Sequence, residues 1–92
     1  MPEREITIVN KLGLHARAAA KLVTLASQYP CDVRVARAGQ NGREVSGKSI
    51  MGVMMLAAAQ GSHIRLIAEG DGAEAALDSL ADLINRRFDE DA

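Results

Sequence analysis

Residues 32–46 read DVRVARAGQNGREVS, and the way this stretch is read decides the fold. Val33 and Val35 alternate with Arg34 over 32–37, the period-two pattern of a strand with one buried face. Gly39 and the Asn41-Gly42 pair bring the residues a tight reversal needs, because they tolerate positive φ. REVS at 43–46 then returns as a short partner strand. The stretch predicts a β-hairpin.

The hairpin bears on a competing pattern. GREVSGKS at 42–49 matches G-x-x-x-x-G-K-S, the phosphate-binding P-loop. A working P-loop leaves a buried parallel strand, wraps a phosphate with its own backbone and opens a helix. With REVS serving as a hairpin arm, the backbone between the glycines has no freedom to wrap. No apolar strand ending in Asp supplies a metal partner, and 92 residues leave little room for a multistranded parallel sheet. A small P-loop nucleotide-binding protein therefore stands only as the minor alternative, one that Mg²⁺-ATP binding by the protein alone would revive. The segment keeps a lesser use: Gly47-Lys48-Ser49 opens a helix with Ser49 as its N-cap.

Elements on either side follow from periodicity. EITIV (5–9) alternates Ile6 and Ile8 with Thr7, a first strand, and NKLG turns the chain. From Ala16 to about Ser27, Ala19, Leu22, Val23 and Ala26 recur at helical spacing until Tyr29-Pro30 stops them. A second helix runs from about Ser49 to Ala58, with Val53, Leu56 and Ala57 toward the core. HIRLIA (63–68) is a strand with Ile64, Leu66 and Ala68 inward. Residues 71–88 form the last helix, with Asp71 and Glu74 as a capping pair and a stripe of Ala73, Ala76, Leu77, Leu80, Leu83, Ile84 and Phe88. Residues 89–92 are an acidic tail, expected to fray. The order β-α-β-β-α-β-α, with strands that each expose one face, predicts an α/β (α+β) fold with an antiparallel sheet covered on one side.

Composition narrows the classes. The chain is one domain by length (1–92, ordered over about 3–88), and its 48% apolar content argues against disorder. Net charge is −1, which disfavours nucleic acid as the main partner, and Tyr29 and Phe88 alone make no base-stacking platform. The charge is uneven: residues 1–48 hold 8 basic and 4 acidic groups, residues 49–92 hold 3 and 8. The N-terminal half is thus suited to an anion or an acidic partner. Cys31 is alone, no leader opens the chain and no apolar run reaches a membrane span, so a cytoplasmic location is expected. His63 has no second ligand at metal spacing, and no metal or cofactor is called for.

The chemistry concentrates in GLHARAAAKL (13–22). His15 falls at the N-cap or first turn of a helix, off the buried face. The amides of Ala16, Arg17 and Ala18 lack intrahelical acceptors there, and the helix dipole adds partial positive charge. Such an end binds anions, and Arg17 adds a planar cation that pairs with phosphate. Helix end and Arg17 both favour a neutral, nucleophilic ring. A histidine so placed suits a transient phosphohistidine. In IMGVMML (50–56), Ile50, Met51, Met54 and Met55 offer more apolar surface than one face of a short helix can bury, which points to an exposed contact patch.

GLHARAAAKL followed by GKSIMGVMMLAA resembles the HPr phosphocarrier family of the bacterial phosphoenolpyruvate-dependent phosphotransferase system, over about residues 3–88 and in the same element order. The resemblance implies an open-faced sandwich with sheet order 1-4-2-3. It implies that His15 accepts a phosphoryl group on Nδ1 from phosphorylated enzyme I and passes it to enzyme II A-domains, for sugar uptake or its regulation. The chain is then a monomeric carrier without membrane insertion, not a self-sufficient enzyme. Arg17 matches the family's active-site arginine; Ser49, not Ser46, matches the serine that a dedicated kinase/phosphorylase modifies in some bacteria; Ile50, Met51 and Met54 match the docking positions. Ala18 stands where the family usually has proline, and the hairpin over Arg37–Arg43 is a few residues longer than usual. A nitrogen-type regulatory module without sugar transport remains the alternative.

Overall fold

The computed structural model describes residues 2–38 and 43–91. Its elements are β1 (Glu3–Thr7), α1 (Ala16–Ala26), β2 (Asp32–Arg37), β3 (Glu44–Ser46), α2 (Ile50–Met55), β4 (His63–Glu69) and α3 (Ala73–Asn85), followed by a single turn at Arg87–Asp89. The sheet is antiparallel throughout, in the order β1-β4-β2-β3. β4 is central, opposing Ile64 to Ile6 of β1 and Leu66 to Val35 of β2. Its inward side chains Ile64, Leu66 and Ala68 are buried beneath the helices, as their alternation predicts. On the open face, Arg65 lies 3.9 Å from Glu3 and 3.7 Å from Glu44, a mixed-charge ladder across the strands.

α1 buries Ala18, Ala19, Leu22 and Ala26. Three alanines on that face let the helix backbone approach its neighbours closely, while Leu22 fills the space between. Each fully buried Leu, Ile or Val contributes about 1.5–3 kcal/mol relative to exposure, and Val33, Val35, Val53, Leu77, Leu80 and Ile84 join it in one core. Among the described residues, no helix is long and apolar enough to cross a membrane.

Several boundaries move. β1 starts and ends two residues before the predicted stretch, and Ile8 follows it as a buried link whose N–H reaches the Ser62 carbonyl at 2.8 Å. α2 stops at Met55 rather than Ala58. There the Leu56 and Ala57 amides fall back on carbonyls three residues earlier, and Ala57 turns to φ 50°. Ala57 is therefore exposed, and Ala58 takes the buried place while its carbonyl accepts the Leu14 N–H at 2.9 Å. The capping pair before α3 does not form: Gly72 is the N-cap at φ 79° with no side-chain cap bond. Glu74 instead lies 3.6 Å from Arg4. α3 also ends at Asn85, so Phe88 leaves the helical stripe and enters the core from the following turn. The reversal expected at Gly39 and Asn41-Gly42 lies outside the described residues; the strands flanking it pair Val35 with Val45.

β3 is an edge strand, antiparallel to β2. The Gly47 N–H is bound to the Val33 carbonyl at 2.8 Å, and Lys48 Nζ donates to the Tyr29 carbonyl at 2.7 Å. The groups a P-loop would offer to a phosphate are used inside the fold, and the P-loop pattern is a coincidence of residue types.

Candidate functional site

His15 is the N-cap of α1, at φ −73° and ψ 178°. The approach to it is rigid for reasons of local chemistry. The Gly13 N–H bonds the Asn10 carbonyl at 3.2 Å, Asn10 Nδ2 returns to the Gly13 carbonyl at 2.9 Å, and the Leu14 N–H is tied to Ala58. Gly13 has φ +68°, and a Cβ there would meet the Ala58 oxygen at 2.5 Å, so only glycine fits.

The two ring nitrogens have different partners. Nδ1 accepts the Arg17 N–H at 3.3 Å, a long capping bond. Nε2 lies 2.5 Å from Glu90 Oε2. Asn10, fully buried, donates from Nδ2 to Glu90 Oε1 at 3.0 Å. Burial raises the Glu90 carboxyl, yet hydrogen bonds from Asn10 and His15 and the charges of His15 and Lys21 outweigh it and hold it below the ordinary carboxylate value. Lys21 also donates to the Phe88 carbonyl at 2.6 Å, fastening the segment that carries Glu90.

Of the predicted cradle, the Arg17 amide is partly committed to His15 Nδ1. Among the described residues, none accepts from the amides of Ala16 and Ala18. No carboxylate among them pairs with the Arg17 guanidinium, which is exposed. Lys11, Arg17 and Lys21 line one open depression of about 850 Å³ around His15, together with Asp89, Glu90 and Asp91. The site thus offers an imidazole, the free amide of the exposed Ala16 and the unpaired Arg17 guanidinium to an anion, while the Ala18 amide is buried.

The remaining candidates lie on α2, which packs beside α1. Ser49 caps α2, its Oγ accepting the Gly52 N–H at 3.1 Å, while Ser46 Oγ serves the Lys48 N–H. Ile50, Met51, Met54 and Met55 are exposed, Met51 by 75%, whereas Val53 is fully buried. Sequence reasoning missed Asn10 and Glu90. Their pairing spans 80 residues, and an acidic residue near the end of a chain carries no local periodicity that would mark it.

An open-faced α/β sandwich with a histidine capping an electropositive helix end defines the class of small histidine phosphocarriers. The family described as "PTS HPr component phosphorylation site" matches residues 2–86. The chain is similar to the phosphocarrier protein HPr of Pseudomonas aeruginosa, at 59% identity over 98% of each chain. It is similar to the phosphocarrier protein NPr of Shewanella violacea at 43% identity, covering 96% of this chain and 93% of that one. A crystal structure of HPr-C-His from Thermoanaerobacter tengcongensis superimposes with a TM-score of 0.90 at 43% identity over the whole of both chains. This protein belongs to the HPr family of phosphotransferase-system phosphocarriers.

Proposed function

We propose that His15 carries the phosphoryl group on Nδ1, receiving it from phosphorylated enzyme I and delivering it to a histidine of an enzyme II A-domain. The observation that carries this reading is the ring's placement at the N-cap of α1. Nδ1 faces the helix end where the Ala16 amide is free and exposed and Arg17 stands unpaired. A phosphoryl group on that atom meets donors and positive charge at once, so transfer needs little rearrangement. Incubation with enzyme I and phosphoenolpyruvate should give one acid-labile, base-stable phosphate, seen by NMR as a phosphorus–nitrogen bond at Nδ1. An ester-type phosphate would overturn the reading.

Arg17 acts on the anion, not the fold. An exposed first-turn arginine contributes at most a few tenths of a kcal/mol to stability and opposes the helix dipole. Arg17→Ala is expected to keep its thermal midpoint and to slow transfer about tenfold or more, since about 1.4 kcal/mol of charge-assisted phosphate contact is a factor of ten. An unchanged rate removes Arg17 from the site.

Ile50, Met51 and Met54 form the surface that enzyme I and the A-domains cover, and Ser49 at its edge is the regulatory position for a serine kinase. A phosphate of about −2 charge there would favour the α2 cap but stand beside apolar side chains that must lose water on docking. Ser49→Asp, with half that charge and a good capping side chain, is expected to fold normally and to bind enzyme I several-fold more weakly. Equal affinity and equal transfer rate would leave Ser49 a helix cap only.

The NPr relative favours a second reading, in which the recipient is a nitrogen-type A-domain. Transfer rates to purified sugar-type and nitrogen-type A-domains separate the two.

A further inference from the structure

We propose that Glu90 is a positioning residue for His15: by accepting the Nε2 proton it holds the ring in the Nε2–H form, presents the Nδ1 lone pair to the incoming phosphoryl group, and faces the ring charge while phosphate is attached. The inference rests on His15 being the acceptor.

The geometry assigns the proton. Nδ1 receives the Arg17 N–H and must supply a lone pair; Nε2 faces a carboxylate oxygen at 2.5 Å and must supply a proton. Both contacts select the same neutral tautomer. A surface ion pair of ordinary kind would contribute little, but this carboxylate is oriented at both oxygens, Oε2 by His15 and Oε1 by Asn10. Its side chain is 14% exposed. Asn10 in turn is fully buried and bound to the Gly13 carbonyl, so the frame that aims Glu90 is the loop that aims His15.

The chain is also strained into this placement. Arg87, Phe88 and Asp89 all have positive φ, at 60°, 54° and 62°. Consecutive left-handed residues without glycine are costly. Here they turn the chain off α3 and bring Glu90 back to the N-terminus of α1. A carboxylate on the far nitrogen of a reacting imidazole is a known physical device for fixing tautomer and stabilising imidazolium.

With Glu90 in place no proton need move. In the forward step the Nδ1 lone pair forms the nitrogen–phosphorus bond, and the phosphorus–donor bond breaks with its electron pair leaving on the donor. The ring then carries one positive charge, opposite the Glu90 carboxylate. In the onward step the nitrogen–phosphorus bond breaks, its pair returns to Nδ1, and Nε2 still holds its proton. Without Glu90, only the long Arg17 contact favours that tautomer, and the fraction of rings protonated at Nδ1 cannot attack.

The test compares full-length wild type, E90Q and E90A. In wild type the Nε2 proton should appear in NMR as a hydrogen-bonded signal protected from exchange with water. E90Q, whose amide oxygen can still accept, should keep that signal; E90A should lose it. Phosphoryl uptake from enzyme I should slow about tenfold in E90A, with E90Q between the two, and the thermal midpoints should differ little. E90A that keeps the protected signal, or that takes up phosphate at the wild-type rate, would overturn the proposal. Failure of wild type to form a phosphohistidine, or label surviving in His15→Ala, would instead overturn the acceptor reading.

Discussion

His15→Ala is expected to take up no acid-labile phosphate from enzyme I, a loss to background rather than a slowing. On the proposed reading the step is covalent, so removal of the nucleophile leaves nothing for the Ala16 amide and Arg17 to assist. His63, the other histidine of the chain, is no substitute. It lies on β4 opposite Thr7, with Nδ1 2.9 Å from Thr7 Oγ1, away from any helix end. The fold should survive. The variant loses one long capping bond and the contact to Glu90, together about 1 kcal/mol. For a domain of this size that lowers the thermal midpoint by roughly 4–8 °C. Circular dichroism with a labelling gel separates the outcomes: an unfolded variant would make the loss uninformative, so folded protein without label is the required result. Label on folded His15→Ala at the wild-type rate would place the acceptor elsewhere.

What the sequence disclosed tracks how local each cause is. Alternation of Val33, Arg34 and Val35 is set by neighbours two residues away, and β2 forms over the predicted residues. His15 at the head of an alanine-rich helix is equally local, and so were Arg17 and the Ser49 cap. The errors arise where distant groups decide. Propensity alone carries α2 to Ala58, but the Leu14 amide needs the Ala58 carbonyl, and that bond crosses 44 positions of sequence to a residue beyond the helix end at Met55. Phe88 fits the spacing of the α3 stripe and is buried as that spacing predicts, yet it arrives from a left-handed turn no propensity would predict. Glu90 is the fullest case. It looks like solvent-facing charge, and only the folded backbone of residues 10–15 makes it part of the site.

That backbone and Glu90 meet through one anchor, and removing it should give the largest loss of stability. Phe88, the chain's one phenylalanine, is fully buried. Three consecutive left-handed residues cost roughly 1–2 kcal/mol each, and three things offset them: Phe88 burial, the Lys21 bond to its carbonyl, and the Glu90 contacts. Burial is the largest of these. Phe88→Ala removes it and leaves a cavity in the core, at an expected cost of about 3–5 kcal/mol, which lowers the thermal midpoint by about 15 °C or more. Phe88→Leu, closer in volume, should cost much less. Below its melting range Phe88→Ala should still accept phosphate, because His15 and Arg17 are held by α1 and the Gly13–Ala58 contact rather than by the turn. It should do so more slowly, since a turn without its anchor no longer keeps Glu90 on Nε2. A Phe88→Ala protein that loses under about 1 kcal/mol would show that the turn is held by its polar contacts alone. The strain at residues 87–89 would then need another explanation.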